Sequence, residues 1–295
     1  MSAAHRCEIC GGVCERHVCH GVYVYYRCSE CFTSQVQPQP CAEELSEYYR
    51  TYHLKGGETD GQYVFGERTR ADFPAKVSYI KRAIRWNGTK LRLLDVGCGK
   101  GWFLCEAMRS GFDVQGVDYG EAAIGFASGE LGLDVRHGCL ERIMDSTWEE
   151  RFDIVTLWAT IEHLSDPKAT LAAVFRCLKR GGHLFLDTGL GNAWIEHFLP
   201  GHTQWFDAPQ HLWVFSIKGL GLLLRQAGFQ VCHTNRNWER SSVRRIVKAI
   251  RFNALCLSSY AMLRIPLGTR GFRKTKESTW WPVGTLVSVV ARKPE

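Results

Sequence analysis

The chain has 295 residues, 45% of them hydrophobic and 23% charged, with 37 Lys and Arg against 30 Asp and Glu for a net charge of +7. This is the composition of an ordinary globular protein, long enough for one sizeable core plus a small module, and it excludes collagen-like and disordered chains. No run approaches the roughly 18 apolar residues of a membrane-spanning helix, and MSAAHRCEIC has no apolar signal core, so the thirteen cysteines point to a reduced, cytoplasmic protein and not to a disulfide scaffold.

The first predicted element is a cysteine module over residues 1–36. Six cysteines fall within the first 31 residues. Cys7 and Cys10 form one C-x2-C pair, Cys28 and Cys31 form another, and 17 residues separate the pairs. Two such knuckles can converge on one tetrahedral zinc, and the alternating HGVYVYYRC between them suits a ribbon strand. Cys14, Cys19 and His20 are spare donors that leave the ligand choice open. A closed four-cysteine site has no open coordination position, so the zinc is read as structural.

Residues 37–73 are read as a linker followed by a helical and loop segment. VQPQP is punctuated by proline, AEELSEYYRTYH (42–53) begins with helical character, and KGGETDGQ (55–62) is a glycine-rich loop. The remainder, 74–295, is one large domain. PAKVSYIKRAIRW (74–86) places Val77, Ile80 and Ile84 on one helical face. From there the chain alternates strand and helix. Strands are predicted at 91–96, 113–118, 133–137, 152–158, 183–188, 229–234 and 285–292. Helices fit at 101–110, 120–131 and 167–179, the last capped by Asp166, opened by Pro167 and stopped by Gly181-Gly182. A further helix spans 216–228. Seven strands with interleaved helices imply an α/β sheet with crossovers.

LLDVGCGKG (93–101) joins the first of these strands to a helix, at the carboxyl edge where such sheets bind ligands. The dinucleotide fingerprint G-x-G-x-x-G fails because Trp102 occupies its third glycine position, and no G-K-[ST] completes a P-loop. Glycines there would let the backbone come close to a ligand. Asp95, Gly97, Gly99 and Gly101 fill D-x-G-x-G-x-G and resemble motif I of the class I S-adenosylmethionine-dependent methyltransferases. FDIVTLWATIEHLSDP, LKRGGHLFLDT and HLWVFSIKGLGLLLRQAGF resemble the members of that family with an E-H-L segment after strand four, a group that includes the ubiquinone-type O-methyltransferases. An N-terminal zinc ribbon, a proline-rich linker and E-Y-Y recur there too.

The resemblance implies a Rossmann-like seven-stranded sheet of order 3-2-1-4-5-7-6 with S-adenosyl-L-methionine as cofactor. It implies that the turn holding Asp95, Gly97, Cys98, Gly99 and Gly101 meets the amino-acid end of the cofactor. Asp118, next to Tyr119, would accept hydrogen bonds from the ribose diol. Gly138, Cys139 and Leu140 stand where adenine contacts occur and where many members have Gly-Asp, so backbone groups or Glu141 would take the adenine amine. Trp158 closes strand four at the cofactor's rim.

Methyl transfer needs an aligned acceptor and, for a hydroxyl, a base, for which histidine is suited near neutral pH. His163, beside Glu162, and His211 are the catalytic candidates. His197, His202 and Asp207 are weaker ones. The ubiquinone-type branch carries E-x-x-E-H here, a metal site in some members, and this chain has Ala159 at the first glutamate. Residues 189–212 form a Trp-, Phe- and His-rich insertion suited to a lid over an organic acceptor. No N-P-P-[YF] follows strand four, which disfavours amide or nucleobase N-methylation of that kind.

Charge is concentrated at the end: residues 236–295 carry 13 Lys and Arg against 3 Asp and Glu. Within a basic helical insertion at 236–282, residues 240–252 have an amphipathic pattern that either covers the sheet or touches a membrane surface. The sequence thus predicts methylation of an oxygen, or an activated carbon, of a small organic acceptor. By family analogy the acceptor is a sugar, glycan precursor or secondary metabolite, phosphorylated or lipid-linked forms included. RNA methylation and a non-catalytic cofactor-binding scaffold are the alternatives. Nucleic acid is disfavoured because the ribbon's basic and acidic residues balance.

Overall fold

The computed structural model describes residues 5–52, 72–192, 205–236 and 286–295. The central sheet has seven strands: β5 (Arg92–Val96), β6 (Asp113–Asp118), β7 (Val135–His137), β8 (Phe152–Trp158), β9 (Leu178–Gly189), β11 (Gln230–Arg236) and β12 (Leu286–Arg292). Their spatial order is β11-β12-β9-β8-β5-β6-β7. Counted within this sheet, that is 6-7-5-4-1-2-3, the expected order. β12 runs antiparallel to both neighbours, whereas β9-β8-β5-β6-β7 are parallel. Parallel strands covered on both faces need continuous apolar runs, and Leu93, Leu94, Ile154, Val155, Leu157, Leu184, Phe185 and Leu186 are buried accordingly.

Helices cover the faces. α2 (Phe73–Ala83) buries Phe73, Val77 and Ile80, so the predicted stripe is the packed one. α3 (Trp102–Arg109) and α4 (Glu121–Gly129) follow β5 and β6, and the short α5 (Leu140–Ile143) follows β7. In α6 (Pro167–Cys177) the Asp166 carboxylate accepts from the Ala169 amide at 2.9 Å, and Pro167 opens the first turn. In α7 (Ile217–Gln226) Ser216 caps in the same way through the Gly219 amide.

One boundary differs from expectation. α6 ends at Cys177 and not at the glycine pair, because Leu178 is already extended and pairs with Phe152. Gly181, at φ +74°, instead makes the irregularity at which the pairing of β9 with β8 shifts, and its amide donates to the Lys293 carbonyl. Sheet pairing captures Leu178 before the helix reaches its stop signal.

The N-terminal sheet consists of β1 (His5–Arg6), β2 (Val13–His20), β3 (Tyr23–Cys28) and β4 (Ser34–Gln37). A fifth strand joins it from the large domain: β10 (Trp213–Val214) pairs antiparallel with β4. The cysteine module is therefore continuous in hydrogen bonding with the segment 205–216. α1 (Ala42–Tyr52) follows β4. Among the described residues no helix is long and apolar enough to cross a membrane. Most of the insertion at 236–282, including 240–252, and residues 193–204 with His197 and His202 lie outside the described residues, as does the loop at 55–62.

Candidate functional site

The glycine turn leaves β5 with Gly97, Gly99 and Gly101 all at positive φ, +78°, +52° and +77°. They are glycine for different reasons. A Cβ on Gly97 would lie 2.4 Å from Thr160 Oγ1, and one on Gly101 would lie 2.4 Å from Leu133 Cδ1. A Cβ on Gly99 would meet nothing within 4 Å. Only Gly99 leaves open space that a ligand could enter; the other two are fixed by protein neighbours. Asp118 holds this turn. Its half-buried carboxylate accepts from the Gly99 amide and from the Gly120 amide, each at 2.7 Å. Each oxygen keeps a further lone pair, as ribose recognition requires.

The other predicted cofactor residues divide by orientation. Cys98 and Leu140 are buried in the core, so only their backbone can face a ligand. Cys139 caps α5 and is half-buried, and burial pushes its thiol up. Glu141, the candidate for the adenine amine, instead accepts from Thr170 at 3.0 Å. Tyr119 is exposed, and its ring lies 6.3 Å from that of Tyr49 on α1. Asp95 is buried and accepts from the Thr156 hydroxyl at 2.5 Å; burial raises it to about 7, with Thr156 and Lys76 pulling the other way.

Lys76 and Asp187 belong to the same region, and no motif marked them. Lys76 Nζ lies 3.0 Å from Asp187 Oδ2 and 4.2 Å from the centre of the Trp158 ring. Asp187 Oδ1 accepts from the Ala159 amide at 2.8 Å. Asp187 sits near the end of β9, and an acid at the carboxyl end of a parallel strand was the available signal.

The structure brings the three catalytic candidates together. Glu162, His163 and His211 each offer a ligand or proton-accepting atom within 4.8 Å of the others. Such a spacing could also bind a metal ion, although the Gln210 carbonyl already engages Nδ1 of the His163 ring. Glu162 is 2% exposed, and neither carboxyl oxygen has a hydrogen-bond partner among the described residues. Burial raises its pKa to about 8. His163 Nδ1 lies 2.7 Å from the Gln210 carbonyl, and burial lowers the ring to about 4. His211 Nδ1 lies 3.0 Å from the Trp205 carbonyl, which can only accept, so Nδ1 carries the proton. The two imidazole centres are 4.9 Å apart. The turn at 161–163 is zipped to the 205–216 segment by the Leu212 amide on the Glu162 carbonyl and Trp213 Nε1 on the Leu164 carbonyl. Asp207 faces away, toward His20 of the ribbon at 3.5 Å.

In the ribbon, the sulfurs of Cys7, Cys10, Cys28 and Cys31 lie within 4.8 Å of one another. Cys7 to Cys31 is 3.6 Å and Cys10 to Cys28 is 3.4 Å. Four thiolates about 2.3 Å from one tetrahedral zinc would sit about 3.8 Å apart, so the donor set fits that ion. A hydrogen bond from Cys31 favours the Cys7 thiolate, the form a cation takes.

Comparison with known proteins agrees with this fold. The family described as "Methyltransferase domain" matches residues 67–234. A ubiquinone biosynthesis O-methyltransferase of Pseudomonas fluorescens (strain SBW25) is 37% identical over 174 residues, covering 54% of this chain and 72% of that protein. Among solved structures, the [4+2]-cyclase SpnF superposes with a TM-score of 0.58 at 20% identity, covering 87% of this chain and 98% of that one. An S-adenosylmethionine-dependent methyltransferase from Mesorhizobium loti gives 0.51 at 16%, covering 75% and 97%. The structural likenesses establish the fold; the family match and the sequence relative bear on the chemistry.

Proposed function

This chain belongs to the class I S-adenosylmethionine-dependent methyltransferases, and we propose that it methylates an oxygen of a small organic acceptor with His211 as the base. The observation that carries this reading is the His211 ring, which is held through Nδ1 on the Trp205 carbonyl and lies in one cluster with Glu162 and His163. The named activity of the Pseudomonas relative, an O-methyltransferase, supports oxygen over carbon.

When bound, S-adenosyl-L-methionine supplies a methyl group activated on a positively charged sulfur. Asp118, the Gly99 backbone and Tyr119 would hold its nucleoside end, with the backbone at Cys139 and Leu140 beside it. The turn at Asp95, Gly97, Cys98 and Gly101 and the ring of Trp158 border the methionine end. His211 would take the acceptor's hydroxyl proton as the new C–O bond forms and the methyl–sulfur bond breaks, its electron pair staying on the sulfur. Glu162, held neutral by burial, stands in the same cluster as a polar neighbour of that ring. His163 is assigned to holding the 205–216 segment, since the Gln210 carbonyl engages its Nδ1. A zinc ion on Cys7, Cys10, Cys28 and Cys31 is proposed as structural.

The test is transfer of a labelled methyl group in extract of the producing organism, fractionated into RNA, protein, lipid and small molecules. Label is expected in the small-molecule or lipid fraction, reduced about 10²- to 10⁴-fold by His211→Asn. Label in RNA would refute the acceptor class, and an unimpaired His211→Asn would refute the base.

A further inference from the structure

The ribbon and the segment carrying His211 share more than a strand pair. Tyr25, fully buried on β3, donates from its hydroxyl to the His211 carbonyl at 2.5 Å. Its ring meets Phe206 edge-on at 5.0 Å. His20 Nδ1 lies 2.9 Å from the Ala208 carbonyl. The Val36 amide donates to the Leu212 carbonyl at 3.0 Å. Phe206, Ala208, His211, Leu212, Trp213 and Val214 are thus each engaged by β2, β3 or β4.

The metal knuckles are tied in from the other end. The Ser216 hydroxyl donates to the carbonyl of Cys31, and the same oxygen caps α7. Lys218 Nζ donates to the Glu30 carbonyl and Gln226 Nε2 to the Ile9 carbonyl, each at 2.8 Å. A short module has little core of its own, so its shape depends on the ion its thiolates hold. What depends on that shape in turn is the backbone immediately under the His211 imidazole.

We propose that the ribbon is a working part of the acceptor site: Tyr25 is a positioning residue for His211, and the four-cysteine cluster keeps Tyr25 in place. The proposal rests on His211 being the base, and it assigns the ribbon a role other than recruiting a partner. Removing the Tyr25 hydroxyl leaves the His211 carbonyl without its buried donor, and the Nδ1 contact to Trp205 loosens with it. A displacement of well under 1 Å at a reacting group is enough to lower a rate about tenfold.

The experiment uses the full chain labelled with 15N-histidine, saturated with S-adenosyl-L-methionine, as wild type, Tyr25→Phe and His20→Ala. The His211 ring signals are assigned by their disappearance in His211→Asn. Wild type is expected to show the Nδ1–H form. Tyr25→Phe is expected to shift those signals toward mixed tautomers, with cofactor affinity within twofold of wild type and methyl transfer down about tenfold. Stripping zinc from the wild-type chain with a chelator is expected to broaden the same signals. If Tyr25→Phe fails to fold, as judged by lost cofactor binding, His20→Ala decides by the same signals. His211 signals that stay at their wild-type positions in the folded variants and after zinc removal would overturn the proposal. The ring signals report position and not turnover. A fully active His211→Asn would therefore refute the base while the signals still decide whether the ribbon positions that ring.

Discussion

Substituting the three motif glycines one at a time by alanine separates two roles that the motif itself confounds. Each has positive φ, so each alanine costs roughly 1–2 kcal/mol of backbone strain. Gly99→Ala adds nothing further in the protein, because its Cβ would meet no atom within 4 Å. In a chain of this size that strain lowers the melting temperature by only about 2–6 °C. Gly97→Ala also drives a methyl group to 2.4 Å from Thr160 Oγ1 and 2.6 Å from its Cγ2. Overpacking of this kind adds about 1–3 kcal/mol, for a total loss of roughly 2–5. The order reverses for cofactor binding. A ligand lying against Gly99 must retreat from the new methyl group, and losing about 2 kcal/mol of contact weakens affinity about 30-fold. Thermal unfolding and titration calorimetry with S-adenosyl-L-methionine measure the two effects separately. If Gly99→Ala binds the cofactor like wild type, the open space over Gly99 is not where the ligand lies, and the site must be redrawn.

Two further substitutions test the buried charges. Glu162 has a folded pKa of about 8, above its usual 4.5, so its contribution to stability is full below about pH 4.5 and lost as pH rises through 8. Glu162→Gln does not titrate, so its stability relative to wild type should rise with pH across that window, by up to about 1.4 kcal/mol per unit in urea denaturation; a constant difference from pH 5 to 8 would disprove the raised pKa. Lys76→Met strands the Asp187 carboxylate, whose side chain is 9% exposed, and should cost about 3–5 kcal/mol. Adding Asp187→Asn should recover part of that loss, and strictly additive effects in the double-mutant cycle would show that the two do not interact.

The sequence made the fold legible because two periodicities coincide with the sheet. The central strands β5, β8 and β12 are short apolar runs, α2 and α7 carry apolar stripes, and caps such as Asp166 and Ser216 mark where helices start. The order of strands came from likeness to a family, since nothing in a strand's own residues names its neighbour. Cys7, Cys10, Cys28 and Cys31 were legible because metal-ligand spacing is local. What sequence could not carry was everything set by distant pairing. Tyr25 reads as one residue of an alternating strand, yet it meets His211 across 186 positions. Lys76 reads as a polar residue of an amphipathic helix, yet it is the cation among Asp95, Asp187 and Glu162. The glycines were legible as a turn, but which of them faces a ligand depends on Thr160 and Leu133, far along the chain.

The acids around Lys76 also predict how the cofactor is received. Asp95 has a pKa of about 7, raised mainly by burial and further by the charges of Asp118 and Asp187. At pH 7 about half of the Asp95 side chains therefore carry a proton. S-adenosyl-L-methionine brings a sulfonium and an ammonium group. A cation arriving beside a carboxylate favours its ionised form and lowers its pKa. Binding at pH 7 should then release about half a proton from Asp95, and more if Glu162 responds as well. Above pH 8.5 Asp95 is already ionised and its share vanishes. Calorimetric titrations in buffers of different ionisation enthalpy measure this number directly. Asp95→Asn should abolish the Asp95 share while leaving the Thr156 hydrogen bond an acceptor. A binding enthalpy independent of buffer at pH 7 would mean that Asp95 does not meet the cofactor's charge.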